Sequence, residues 1–252
     1  MSDIPEDRKQ ICIIHPNKDL YSETFIHNHI RHLPGRVHAL YRPEMLTHQA
    51  NDDKPLVPRS LRVASRVFYT VYNPLWGISS GTTFKILDGI SAFMLRRFLL
   101  SNKVDAVLAE YGPTGVAVME ACRNARVPLV VHFHGFDAHY KPLIEEYTAY
   151  YQEMFLYAKA LIVVSRKMEE QLLALGAFRD KVHYNVCGVD TDLFKKGLPD
   201  KNPPQFISIG RFVDKKAPHL TLLAFKKLLG RCPSARLTMI GDGPLLEPCK
   251  QI

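Results

Sequence analysis

The stretch FISIGRFVDKKAPHLTLLAFKKLLGRCPSARLTMIGDGP, Phe206–Pro244, decides the fold. Phe206–Ile209 is a short apolar run that ends at Gly210, and Arg211, Lys215 and Lys216 follow at once. Pro218 suits a helix start, because its fixed φ fits the first turn and its missing N–H has no partner there anyway. A second apolar run closes at Gly241-Asp242-Gly243-Pro244, a composition that makes a tight turn. The pattern predicts a strand, a cationic loop, a helix and a second strand. In parallel α/β sheets, ligands bind beyond the carboxyl ends of the strands. Cations at that place, beside a helix N-terminus, suit a phosphate. A further strand and helix would follow in such a unit, yet the sequence stops at Ile252, so residues 206–252 are expected to form an incomplete domain.

Upstream, KKGLPDKNPPQ at Lys195–Gln205 changes composition to prolines, glycine and charge, and 197–205 is expected to be a linker. Residues 1–196 alternate apolar runs with helical patterns. Strands are predicted at Ile11–Ile14, Val37–Tyr41, Val104–Ala109, Leu129–Phe133, Leu161–Val164 and Lys181–Val186. Helices are predicted from Ser22, as a cap, through Leu33, and over Ser60–Tyr72, Thr83–Leu100 and Gly115–Arg126. Two more run from Pro142 to Tyr157 and from Arg166 to Leu175, the latter ended by Gly176. Arg42–Pro58 reads as loop. Continuous apolar strands between helices argue for an α/β fold with a parallel sheet covered on both faces.

The 252 residues carry a formal net charge of +8, with 46% hydrophobic and 23% charged residues. That is an ordinary globular composition whose charge favours an anionic partner. The basic residues are scattered, so nucleic-acid binding rests on net charge alone and is not expected. Five isolated cysteines without a C-x-x-C pair argue for reduced thiols in a cytoplasm and against a zinc site. The charged N-terminus is no secretory signal. Phe84–Leu100 is too short and too charged to span a bilayer. Arg59, Arg62 and Arg66 lie on an amphipathic pattern that suits an acidic membrane surface or an ordinary core-facing helix.

Several strand ends carry chemistry. Arg211 and Lys216 place two cations where a diphosphate would need them, or they merely flank a helix. HFHGFD at His132–Asp137 closes a strand, and period-two geometry puts His132 and His134 on one face. A third ligand at useful spacing is missing, so no metal is expected there. His134 and Asp137 flank Gly135, which lets a ligand approach the backbone. Glu110-Tyr111-Gly112 also ends a strand, and its carboxylate can bind sugar hydroxyls or sit near a helix start. Asp190-Thr191-Asp192 spells D-x-D but reads better as a capped turn.

These pieces in this order resemble family-four retaining glycosyltransferases of the GT-B fold, of the kind that assemble bacterial exopolysaccharide and colanic acid. The resemblance runs through SETF at Ser22–Phe25, AEYG at Ala109–Gly112, HFHGFDA at His132–Ala138 and VVS at Val163–Ser165. It continues through GVDTDLF at Gly188–Phe194, IGRFVDKKAPHLTLLAF at Ile209–Phe225 and MIGDGP at Met239–Pro244. It implies transfer of a sugar, with retention, from a nucleotide diphosphate to an acceptor hydroxyl in polysaccharide or glycolipid synthesis. Two Rossmann-like domains would share the work, an acceptor-side domain at 1–196 and a truncated nucleotide-sugar domain at 206–252. His134 would stand at the reacting centre. Arg211 and Lys216 would hold the departing diphosphate, with no cofactor and no metal in that role. Glu23, Thr24, Glu110, Tyr111, Gly135 and Asp137 would serve the substrates. The partners implied are a nucleotide sugar and a sugar, polysaccharide or lipid-linked acceptor, at the cytoplasmic face of a membrane. The loop HPNKDLYSET lacks the glycine pair of many relatives, and the family's downstream glutamate pair is not in this sequence. The competing expectation is a non-catalytic remnant that binds an acceptor or a partner. A dehydrogenase-like nucleotide binder is disfavoured, because no strand is followed by G-x-G-x-x-G.

Overall fold

The computed structural model describes residues 9–17, 23–41, 48–49, 56, 80–198 and 202–252, with the backbone alone for 48–49 and 80–88. The chain divides into two compact units, Met1–Gly188 and Val189–Ile252, so residues 197–205 fall within the second. Ser22 and the predicted helix over Ser60–Tyr72 lie outside the described residues.

The first unit is built on β1 (Gln10–His15), β2 (Arg36–Tyr41), β3 (His48–Gln49), β4 (Ala106–Glu110), β5 (Leu129–Phe133), β6 (Ala160–Val163) and β7 (Val182–Tyr184). These form one sheet in the order β3-β2-β1-β4-β5-β6-β7. Every neighbouring pair is parallel except β2 with β3, which is antiparallel at the edge. β3 therefore falls within a stretch expected to be loop. Cys12, Ile13 and Ile14 are all fully buried, as a strand covered on both faces requires.

The connecting helices are α1 (Thr24–His32), α2 (Ser80–Ser101), α3 (Gly112–Ala125), α4 (Phe136–His139), α5 (Lys141–Tyr157) and α6 (Arg166–Ala174). α3 buries Val118, Met119, Ala121 and Cys122 in a core that also holds Val131, Phe133, Tyr151, Met154 and Phe155. Ser165 caps α6 by accepting the Met168 N–H at 3.2 Å. The strand order reverses direction between β1 and β4, which opens a crevice at their carboxyl ends.

The second unit contains β8 (Gln205–Ile209), α7 (Pro218–Leu229), β9 (Arg236–Ile240) and α8 (Leu246–Lys250). β8 and β9 pair in parallel, from Gln205 opposite Arg236 to Ile209 opposite Ile240. This is the strand–helix–strand unit that the sequence predicts. Phe206 meets Phe225 edge-on at 6.0 Å between ring centroids, which seats α7 on the sheet. Among the described residues, no helix is long and apolar enough to cross a membrane.

Candidate active site

The register of β4 against β5 sets the first half of the site. Glu110 stands opposite His132, each near the carboxyl end of its strand. Parallel partners point to the same face, so the carboxylate and the imidazole meet. The pleat sends Phe133 the other way, into the core beside Tyr151. His134 then returns to the face of Glu110.

Glu110 has no exposed surface. Its Oε1 lies 2.7 Å from His29 Nδ1 and its Oε2 lies 2.7 Å from His134 Nε2. His132 Nδ1 stands 3.4 Å from the same Oε2, without hydrogen-bond geometry. Burial alone would raise the Glu110 carboxyl, but the hydrogen bonds from His29 and His134, with the His132 ring close by, win and hold it well below the usual carboxylate range. An ionised carboxylate only accepts, so the donors are His29 Nδ1–H and His134 Nε2–H. A neutral His134 ring then carries its lone pair on Nδ1. Burial pushes His132 down, against the opposing pull of Glu110.

Asp137 is equally buried but differently held. Its Oδ2 accepts the Gly112 N–H and its Oδ1 accepts the His134 N–H, both at 2.8 Å. The Tyr151 hydroxyl donates to the Asp137 carbonyl at 3.0 Å. Burial pushes the Asp137 carboxyl up to about 6, against the pull of those N–H groups. One side chain thus ties the loops after β4 and β5 together. Gly135, at φ +93°, makes the turn between His134 and α4. Gly112 is required by packing: a Cβ there would stand 2.5 Å from the Tyr151 hydroxyl and 2.6 Å from Phe133 Cε1.

Across the crevice, Glu23 precedes α1 and is almost wholly buried. Its Oε1 accepts from Tyr111 Oη at 3.0 Å and from Asn17 Nδ2 at 3.1 Å. Tyr111 is held at φ 76°, a conformation that non-glycine residues seldom adopt and that clusters at functional sites. Phe25 stacks on the His134 ring at 4.0 Å, and Tyr111 meets that ring edge-on at 4.9 Å. Thr24 is exposed at the first turn of α1.

The structure therefore gathers Glu23, Tyr111, His134, Gly135 and Asp137 around one crevice. Glu110 lies beneath that crevice with both oxygens taken by histidines, not on a wall open to sugar hydroxyls. Three participants, Asn17, His29 and His132, stand beside them. His29 was legible in principle, since it lies four residues after Phe25 on one face of α1.

The second unit holds Arg211 and Lys216. Both are exposed on the loop from β8 to α7, and they line one pocket with Ser208, Gly210, Pro218 and Thr221. The loop is anchored by Phe212, whose N–H donates to the Asp242 carbonyl at 2.8 Å and whose carbonyl accepts from Leu245 N–H at 3.0 Å. Pro218, at the start of α7, lines the same pocket, so the two cations stand beside a helix N-terminus. Asp190, whose carboxylate accepts the N–H groups of Asp192 and Leu193, is a turn cap as expected of D-x-D.

Residues 23–188 match the family described as "Glycosyl transferase 4-like domain" and residues 189–252 match "Glycosyl transferases group 1". The chain belongs to the glycosyltransferases. It is 28% identical over 147 residues to the WcaL glycosyltransferase of Escherichia coli K12, whose name ties it to colanic acid biosynthesis, covering 56% of this chain and 36% of that protein. It is 26% identical over 164 residues to the amylovoran biosynthesis glycosyltransferase AmsK of Erwinia amylovora, covering 62% and 40%. The matched region thus spans well under half the length of these relatives. Among solved structures, Anabaena HepE in complex with UDP-glucose superposes on 95% of this chain and 62% of its own, with a TM-score of 0.62 at 13% identity. The lipopolysaccharide outer core galactosyltransferase WaaB in its apo form covers 96% and 61%, with a TM-score of 0.54 at 15% identity. This glycosyltransferase chain has the α/β, GT-B-like fold that the sequence predicts.

Proposed function

We propose that this glycosyltransferase chain supplies the acceptor side and part of the donor site for sugar transfer from a nucleotide diphosphate to an acceptor hydroxyl. The transfer retains anomeric configuration and serves polysaccharide or glycolipid assembly. The observation that carries this reading is the pair of exposed cations, Arg211 and Lys216, that line one pocket beside the start of α7. When the bond from the anomeric carbon to the phosphate oxygen breaks, the electron pair leaves with the diphosphate. Two fixed cations stabilise that charge more in the transition state than in the ground state. They fill the role a divalent ion takes elsewhere, so no metal is assigned to the diphosphate.

His134 is the residue of the reacting centre. Glu110 fixes its tautomer and leaves Nδ1 to accept a hydrogen bond from a substrate hydroxyl. Asp137 and Gly135 hold the loop that carries it. Glu23, Thr24 and Tyr111 line the acceptor side. HepE was crystallised with UDP-glucose, which supports a nucleotide-sugar donor for this chain. The kinship with WcaL and AmsK supports an exopolysaccharide acceptor, free or lipid-linked. The unpaired state of all five cysteines supports a cytoplasmic site of action, at the inner face of the membrane that holds such acceptors.

Titration calorimetry of the chain with UDP and UDP-glucose tests the reading. Binding is expected, weakened about tenfold or more by Arg211→Ala and by Lys216→Ala. Nucleotide binding that ignores both substitutions overturns it. A chain that binds exopolysaccharide fragments but no nucleotide sugar is the non-catalytic binding protein instead.

A further inference from the structure

We propose that His29, Glu110 and His132 form a binding site for a divalent transition metal of the zinc class, beneath the acceptor crevice. The three residues come from α1, β4 and β5, and one ligand atom from each lies within 4.8 Å of the others. The inference stands apart from the donor-site reading, which rests on the second unit.

Two observations carry it. The first is the donor set. Two imidazoles and a carboxylate are a common protein ligand set for zinc at a site that keeps an open position. The second is His132 itself. It is 3% exposed, and among the described residues neither ring nitrogen has a hydrogen-bond partner. A buried polar atom without a partner costs about 1–3 kcal/mol, so native interiors leave few of them. A ligated metal removes that cost, because a coordinated nitrogen is satisfied.

The distances fit. Ligand atoms about 2.0–2.1 Å from a tetrahedral ion stand roughly 3.3 Å from one another. His132 Nδ1 and Glu110 Oε2 are already 3.4 Å apart. His29 Nδ1 and Glu110 Oε1 are 2.7 Å apart, the length of a hydrogen bond. Metal binding would replace the proton shared by that pair and widen the gap by about half an ångström. His134 would keep its hydrogen bond to Glu110, and such outer partners orient a ligating carboxylate. The partly exposed side of His29 provides the entry. Cys187 lies with His132 and His134 in an overlapping cluster, which offers a rival site that the test separates.

The chain is purified without a histidine tag, stripped with chelator and titrated with Zn²⁺ and Co²⁺. Elemental analysis after dialysis is expected to give about one zinc per chain. Zinc is expected to raise the thermal midpoint and chelator to reverse the rise. His132→Asn and His29→Asn are expected to weaken zinc binding about tenfold or more while the far-ultraviolet circular dichroism stays unchanged. Cys187→Ser is expected to leave the stoichiometry intact, and the Co²⁺ spectrum is expected to lack a thiolate charge-transfer band. Negligible metal after dialysis with no midpoint shift overturns the proposal. So does zinc binding that survives His29→Asn but not Cys187→Ser. If His132→Asn does not fold, the His29 variant and the cobalt spectrum decide.

Discussion

The loop after β5 and the loop after β8 occupy the same place in their sheets and are built on opposite principles. In the first, side chains serve the protein. Asp137 takes two backbone N–H groups, Glu110 takes two histidines, and no exposed charge remains on the pair. In the second, the backbone does the holding through Phe212, and the cations stay free. Among the described residues, neither Arg211 nor Lys216 has an ion-pair partner. One loop is prepared to place a ring with little latitude. The other is prepared to meet a charge that arrives from outside. Buried networks fix geometry because breaking them is costly, whereas exposed cations cost the fold little and remain available to a ligand.

Substitutions can break this contrast. Asp137→Ala strands the N–H groups of Gly112 and His134 and is expected to cost about 2–5 kcal/mol in urea unfolding. A loss below ~1 kcal/mol would mean that the two loops are held alike. The next largest effect is in the pH dependence of stability. Glu110 is held below its ordinary value, so its contribution is present at neutral pH and is lost on acidification through and below the ordinary carboxylate range. Asp137 is pushed up to about 6, so its sign is opposite: the folded chain binds that proton more tightly, and stability falls as pH rises from about 4 to about 6. Denaturation profiles of Glu110→Gln against the parent chain are expected to show a shallower acid loss in the variant. An identical slope would show that the histidines do not hold the charge. Gly135→Ala makes only an ordinary contact, with Met168 Cε 4.0 Å away, but places a Cβ at φ +93°. It is expected to cost about 1 kcal/mol by thermal melting, from the backbone alone. Arg211→Ala is expected to change stability by less than about 0.5 kcal/mol while weakening nucleotide binding. A destabilisation to match Asp137→Ala would sink the contrast.

Much of this was legible in the chain. Apolar runs gave the strands, and Pro218 and Pro142 marked helix starts that the structure keeps. HFHGFD was visible as a strand end with a turn, because period two and a glycine suffice to see it. What stayed hidden is what only the sheet order supplies. β1 and β4 are adjacent although about ninety residues separate them, so Asn17, Glu23 and Tyr111 meet without any local signal. Glu110 reads from sequence as a carboxylate that binds sugar hydroxyls or sits near a helix start, and only the arrival of His29 and His134 reveals it as an interior anion. The neighbours of His132 were hidden for the same reason. Spacing along the chain sees residues on one element, and His29, Glu110 and His132 come from three.

The pairing of Glu110 with His132 also acts on the folding chain itself. A slip of β5 by one residue against β4 would turn every side chain to the other face. Phe133 would then confront the carboxylate, and the histidines would enter the apolar core with nothing to bond. An unpaired ionised carboxylate inside a protein is among the least tolerable of arrangements. The misaligned sheet is thereby penalised at the very residues that the aligned sheet gathers beneath the crevice. The cluster at the strand ends is a checksum on the register of the central strands, read before any substrate arrives.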